Sequence, residues 1–141
     1  MTTATNTKDS VARWSVGGVF LEGLAARDFR RLAESLDKGV RFRALLPPGP
    51  SEWTGADAVA GALQEWFGEA DDFAVVDATV GEVGNRIHLA WRLRLRPAPF
   101  GIGEGWHVIE QQAYADVGEK IEALDLLCSG FAAEPGTGET E

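Results

Sequence analysis

The stretch from Arg86 to Arg96 constrains the fold more than any other part of the chain. In it Ile87, Leu89, Trp91, Leu93 and Leu95 alternate with His88, Ala90, Arg92, Arg94 and Arg96. Successive side chains of an extended strand point to opposite faces, so a period of two separates an apolar face from a polar, largely cationic one, which a helical period of 3.6 would not do. Such a strand needs partners on its edges and a second layer over its apolar side. The fold must therefore contain a sheet covered on one face.

The neighbouring segments supply those partners. Phe73 to Val83 leads into a Gly84-Asn85 turn, and after Arg96 a Pro/Gly-rich loop leads into Trp106 to Val117. A second turn at Gly118-Glu119 then leads into Lys120 to Phe131. These spacings predict four consecutive antiparallel strands. Upstream, Val40, Phe42, Ala44 and Leu46 alternate with Arg41, Arg43 and Leu45, predicting a further strand that ends in a rigid loop at Pro47-Pro48-Gly49-Pro50.

The covering layer comes from three helical segments. From about Ser10 to Ala26, Val11, Trp14, Val19, Phe20 and Leu24 share one face, with Gly17, Gly18 and Gly23 weakening the interior. Asp28 is placed to cap a second helix carrying Phe29, Leu32, Ala33 and Leu36, with Gly39 as its stop. Thr54, with Asp57 three residues on, reads as the start of a third helix running to about Glu69, whose Val59, Leu63, Trp66 and Phe67 would face the sheet.

A chain of 141 residues with 45% hydrophobic residues suits one domain with a real core. We expect residues 9–132 to form it, with residues 1–8 and 133–141 as disordered polar and acidic tails. The net charge of −9 repels phosphate backbones and anionic lipid, so neither nucleic acid nor membrane is expected as a partner. The single cysteine, Cys128, excludes an internal disulfide, and the absence of a signal-like or membrane-spanning apolar run leads us to expect a cytoplasmic location. With two histidines and no CxxC or HxxxH spacing, no metal is expected. The Gly101, Gly103 and Gly105 loop lacks the context of a phosphate cradle, and no cofactor is expected; the loop reads instead as a flexible element that could gate a pocket.

The order of these elements carries a resemblance from about Val11 to Phe131. Phe20-Leu21-Glu22-Gly23-Leu24-Ala25-Ala26-Arg27-Asp28 joins the first helices and Val40-Arg41-Phe42 opens the first strand. Thr54-Gly55 precedes the third helix, and Lys120-Ile121-Glu122 opens the last strand. The chain resembles the SnoaL-like branch of the nuclear-transport-factor-2-like superfamily. That resemblance implies an α+β cone, three N-terminal helices packed on a strongly curved, mostly antiparallel sheet, around a blind apolar cavity. It turns His107, Ile109, Gln111, Ala113 and Ala115 inward, with Leu124, Leu126 and Cys128, and leaves Asp125, Leu127 and Ser129 outside. The implied pocket lining is Phe20, Phe42, Ala44, Trp91, Leu93, Ile109, Gln111, Leu126 and Cys128.

The ketosteroid isomerases of the same superfamily offer a chemical comparison. Alignment by resemblance places Phe20 where they hold a tyrosine, Ala44 at their base and Gln111 at their protonated aspartic acid. None of the three can carry those roles, because a glutamine amide donates and accepts hydrogen bonds but transfers no proton. Gln111 is then either a recognition group or a structural amide. His107 is a second candidate, as an acid or base or as a rim residue. Asp125 reads as an outer-face carboxylate or a deliberate pocket acid. The functional expectation is a pocket protein that binds, isomerises or cyclises a small, largely apolar molecule. The alternative is a non-catalytic interaction module. In either case a homodimer through the convex sheet face is expected, with Arg92 or Arg94 meeting Glu110 or Asp125 of a partner.

Overall fold

The computed structural model describes residues 3–134, with side chains described from residue 11 onward. In chain order the elements are α1 (Thr3–Ala26), α2 (Phe29–Glu34), β1 (Leu36–Leu46), β2 (Gly49–Thr54), α3 (Ala56–Phe67), β3 (Asp72–Val83), β4 (Arg86–Arg96), β5 (His107–Val117), β6 (Ile121–Cys128) and β7 (Ala132–Ala133). The strands form one curved, unclosed sheet in the order β2-β1-β6-β5-β4-β3, with β7 beside β5. The run β3 to β6 is antiparallel throughout, as the spacing predicts. β1 joins β6 in parallel and makes the sheet mixed.

The alternation in β4 becomes burial. Ile87, Leu89, Trp91, Leu93 and Leu95 are all buried, while Arg92 and Arg96 are exposed. Val59, Leu63, Trp66 and Phe67 of α3 are buried as expected in the same core, so helix and sheet share one interior.

α1 departs from its expected stripe. It begins at Thr3, ahead of the expected start near Ser10 and within the segment expected as a tail; Met1 and Thr2 lie outside the described residues. Val11 and Trp14 are 64% and 43% exposed, and full burial is reached at Phe20 and Leu24. Two of the glycines that weaken the helix also let it pack. A Cβ on Gly17 would stand 2.9 Å from Leu89 Cδ2, and one on Gly23 would stand 2.7 Å from the Leu32 backbone nitrogen. At Gly23 the neighbour is backbone, so a bare position is needed to bring α1 against α2; at Gly17 it is the end of a leucine side chain on β4, which would have to shift.

Several boundaries move because strand pairing overrides local pattern. Asp28 caps α2 as expected, its carboxylate accepting the Arg31 N–H at 3.1 Å. The helix nonetheless ends at Glu34 rather than near Gly39, because the Ser35 carbonyl accepts the Ile121 N–H at 2.8 Å and Leu36 pairs with Ile121. The expected rigid loop at Pro47 to Pro50 is only a turn; Gly49–Thr54 forms edge strand β2, where the missing N–H of Pro50 is tolerated. Thr54 closes that strand and does not cap α3. Gly55 caps it at φ +98, its N–H held by the Val40 carbonyl at 2.8 Å. α3 stops at Phe67 rather than Glu69, where the Gly68 N–H turns back to the Gln64 carbonyl at 2.7 Å.

The last expected strand is also shorter. β6 ends at Cys128, the chain turns through Gly130, and β7 returns to pair Ala133 with His107 and Ala132 with Val108. Ala133 and Glu134, the first residues expected as a tail, are therefore tied to the sheet, and residues 135–141 lie outside the described residues. No described helix is long and apolar enough to cross a membrane.

Candidate functional site

Trp91, Gln111 and Cys128 occupy matching inward positions on β4, β5 and β6, because the register pairs Trp91 with Gln111 and Gln111 with Cys128. The Trp91 indole N–H donates to Gln111 Oε1 at 2.8 Å, and Gln111 Nε2 donates to Cys128 Sγ at 3.3 Å. The Gly130 backbone N–H also donates to that sulfur, at 3.4 Å. Gln111 is 1% exposed and Trp91 3%, so the chain of bonds runs through the core. Phe20 from α1 packs on Trp91 with ring centroids 5.7 Å apart.

The other expected lining residues fall on the same side. Phe42, Ala44, Leu93, Ile109 and Leu126 are buried, and Cys128 is half-buried. Trp53 stacks on Phe42 at 5.0 Å and meets Trp66 edge-on at 5.8 Å. The inward region is thus mainly carbon. Its amide uses one of its two N–H groups and one of its two carbonyl lone pairs, leaving one donor and one acceptor uncommitted.

His107 is also inward and 8% exposed, but it does not converge with Gln111. The two lie four residues apart on β5 with Ile109 between them, about 14 Å along the strand. His107 Nδ1 lies 2.8 Å from the Gly105 carbonyl, which only accepts, so in the neutral ring Nδ1 bears the hydrogen and Nε2 is the basic atom. Gly103 seats directly against the imidazole; a Cβ there would stand 2.7 Å from Cε1. The glycine loop is accordingly not open chain. Ala98 and Gly103 form an antiparallel bridge that folds residues 97–106 into a small hairpin beside His107.

Neither Phe20 nor Ala44 carries a titratable group, and Gln111 cannot cycle a proton. A proton-transfer centre assembled from those three positions therefore does not exist in this chain. The buried polar residues among those described are Ser35, His107 and Gln111, and Ser35 is satisfied by the Leu32 carbonyl at 2.7 Å.

The outer face is chemically different. Arg43 reaches both oxygens of Asp125 at 2.7 and 2.9 Å, and Arg86 reaches Asp125 at 3.0 Å and Asp116 at 2.8 Å. Hydrogen bonding from Arg43 is the main reason that the Asp125 carboxyl is held below its ordinary range, with Arg86 adding to it against the opposing effect of burial. Asp125 is therefore an outer-face ion-pair residue. Within the chain Arg92 meets Glu110 at 3.2 Å, and Arg94 holds Glu134 at 2.6 and 3.0 Å. Beside this network lies an open groove of ≈ 670 Å³, bordered by Leu45, Pro50, Tyr114, Asp125 and Leu127. Sequence reasoning missed the Arg43–Asp125 pair because it depends on the parallel β1–β6 register, which places Arg43 opposite Asp125 and leaves no local pattern.

Neither a protein-family model nor a curated protein sequence matches the chain. Solved structures do match its fold. A candidate polyketide cyclase from Xanthomonas campestris pv. campestris aligns at 17% identity over 82% of this chain and 89% of its own, with a TM-score of 0.64. A candidate ketosteroid isomerase from Kribbella flavida aligns at 16% identity over 90% and 84%, with a TM-score of 0.60. An NTF2-like protein from Burkholderia xenovorans aligns at 12% identity over 84% and 89%, with a TM-score of 0.63. At such identities the likeness is one of fold, an α+β arrangement of helices on a curved, unclosed sheet consistent with the nuclear-transport-factor-2-like fold that the sequence resembles.

Proposed function

We propose that this chain, having the nuclear-transport-factor-2-like fold, is a SnoaL-like pocket protein that holds a small, largely apolar molecule against the inward sheet face, with Gln111 as its polar recognition point. The observation that carries the reading is the buried amide of Gln111, set among Trp91, Phe20, Ile109 and Leu126 with one donor and one acceptor uncommitted. Buried polar groups ordinarily find partners, and binding pockets are apolar with a few placed polar groups. A ligand hydroxyl or carbonyl would complete the amide. The candidate cyclase and isomerase that share the fold support a small-molecule reading.

Recognition ranks ahead of isomerisation or cyclisation here. The inherited proton-transfer positions hold Phe20, Ala44 and Gln111, and His107 lies too far along β5 to share one reacting atom with Gln111. The outer face favours homodimerisation as a companion property, because Leu45 and Leu127 are register partners in β1 and β6 and are 54% and 47% exposed beside the groove.

One experiment addresses both parts: native mass spectrometry of the purified chain, followed by thermal unfolding against a panel of fused-ring phenols and ketones and their unsubstituted hydrocarbons. We expect a retained small molecule or a panel member that raises the midpoint, with the polar substituent's contribution lost in Gln111→Leu, and a two-chain mass. A ligand present at a hundred times its dissociation constant adds about 2.7 kcal/mol. A chain that carries no molecule and gains no stability from any of the panel would sink the pocket reading, and a one-chain mass would sink the dimer.

A further inference from the structure

We propose that the tip of the β4–β5 hairpin and the adjoining groove on α3 form a docking surface for a basic, apolar segment of another protein. The surface is separate from the inward face and stands without the pocket reading.

The backbone of the tip is the first observation. The Ile102 N–H donates to the Pro99 carbonyl at 3.2 Å, and the two residues between them have positive φ, +62 at Phe100 and +72 at Gly101. Those features describe a two-residue hairpin turn of the type I′ kind, whose first central position favours Asn, Asp or Gly because a Cβ is disfavoured there. This chain places phenylalanine at that position and leaves it 69% exposed, with Ile102 50% exposed on the other side of the turn. The Ala98 N–H bonds to the Gly103 carbonyl at 2.8 Å, and Ala98 is 5% exposed, so the tip is anchored in the core. Two large apolar side chains are thus held out on a pre-ordered support, which lowers the ordering cost of binding.

The second observation is charge. Phe100 and Pro99 form one wall of a groove of ≈ 520 Å³ whose other wall is Gly61, Gln64, Glu65 and Glu69 on α3 and just past its end. Glu104 follows the turn. Among the described residues no ion pair reaches Glu65, Glu69 or Glu104, whereas Asp72, Glu110, Asp116 and Asp125 on the sheet are each paired with arginine. An apolar ledge facing two carboxylates that no ion pair reaches, with Glu104 two residues beyond Ile102 in sequence, complements Lys or Arg placed next to an aliphatic or aromatic side chain. A second copy would bring the same acidic rim, and the chain carries a net charge of −9. The occupant is therefore a cationic partner of different sequence.

The test uses the full chain as bait for a displayed library of random dodecapeptides, with the enriched peptides then synthesised and titrated. We expect enrichment of Lys or Arg beside Leu, Phe or Trp. Binding should weaken at least about tenfold in Phe100→Asn and in the Glu65→Gln/Glu69→Gln double variant, and also as salt rises from 0.15 to 0.5 M. Asn suits the turn better than Phe, so Phe100→Asn should keep its thermal midpoint, and a loss of binding would not reflect unfolding. The proposal is overturned if no sequence is enriched, if the enriched peptides lack basic residues, or if they bind Phe100→Asn as tightly as the parent. A change in solution mass on Phe100→Asn would assign the surface to a second copy and overturn it equally.

Discussion

On the inward side of β4 and β5 polar atoms are scarce and each bond they make is to a single partner within the core, Trp91 to Gln111 and Gln111 to Cys128. On the outward side of the sheet they are dense and shared, with Asp125 of β6 held by two arginines and Arg86 of β4 holding two carboxylates. A lone partner in a low-dielectric interior cannot be replaced by water, so losing it exposes the full desolvation cost of the group left behind. Shared partners at a wet surface have substitutes. Neighbouring residues on one strand should therefore respond to substitution in different ways: steeply and insensitively to salt on one face, shallowly and with salt and pH dependence on the other.

The sharpest contrast lies between adjacent positions. Leu93 is fully buried and Arg92 is exposed, paired with Glu110 at 3.2 Å. Leu93→Ala should cost about 2–5 kcal/mol through lost burial and the cavity it leaves. Arg92→Ala should cost less than about 1 kcal/mol. Urea unfolding of both variants measures the gap; equal losses would mean that the face assignment does not govern stability.

An intermediate effect is expected where the inward face is polar. Gln111→Leu strands the Trp91 N–H in the core, at a cost of about 1–3 kcal/mol, and Trp91→Phe strands the Gln111 carbonyl in the same way. With both replaced, neither group is left without its partner, so the double variant should lose clearly less than the sum of the single losses. A double-mutant cycle by chemical denaturation reads that difference. Strict additivity would show that the bond contributes nothing beyond packing.

The same contrast explains which features were legible in the sequence. Alternation in β4 and the Val59, Leu63, Trp66 and Phe67 stripe in α3 translated directly into burial, because a large hydrophobic contrast between faces leaves one choice of orientation; in β5 the contrast is weaker and the resemblance set the inward face. Edge strand β2 was not legible, since its proline and polar residues, following Pro47 and Pro48, read locally as a loop and only pairing with β1 makes it a strand. The early end of α2 was hidden likewise, because Leu36 continues a helical period while its backbone serves Ile121. For the candidate site, the inward placement of Trp91 and Gln111 was readable from alternation and resemblance. Their mutual hydrogen bond and the separation of His107 from Gln111 depend on cross-strand register, which no single segment encodes.

The smallest predicted effect belongs to Asp125, and its dependence on pH is more informative than its size. Its folded-state pKa is lowered, chiefly by hydrogen bonding from Arg43 and further by Arg86, relative to about 3.9 for an unperturbed aspartate. A depressed folded-state pKa means that the ionised carboxylate stabilises the fold fully above the ordinary value, and that this contribution is lost as pH falls through the lower one. Asp125→Asn should therefore cost less than about 1 kcal/mol near neutrality, because the Arg43 side chain is 54% exposed and water screens the pair. The gap between parent and variant should close as pH falls below the ordinary aspartate value, since every other carboxylate titrates in both proteins and cancels in the difference. Thermal unfolding from pH 7 to pH 2.5, at low salt and again at 0.5 M, measures it. A gap that ignored both pH and salt would mean that Asp125 acts through shape, and the outer face would then obey the same rule as the inner one.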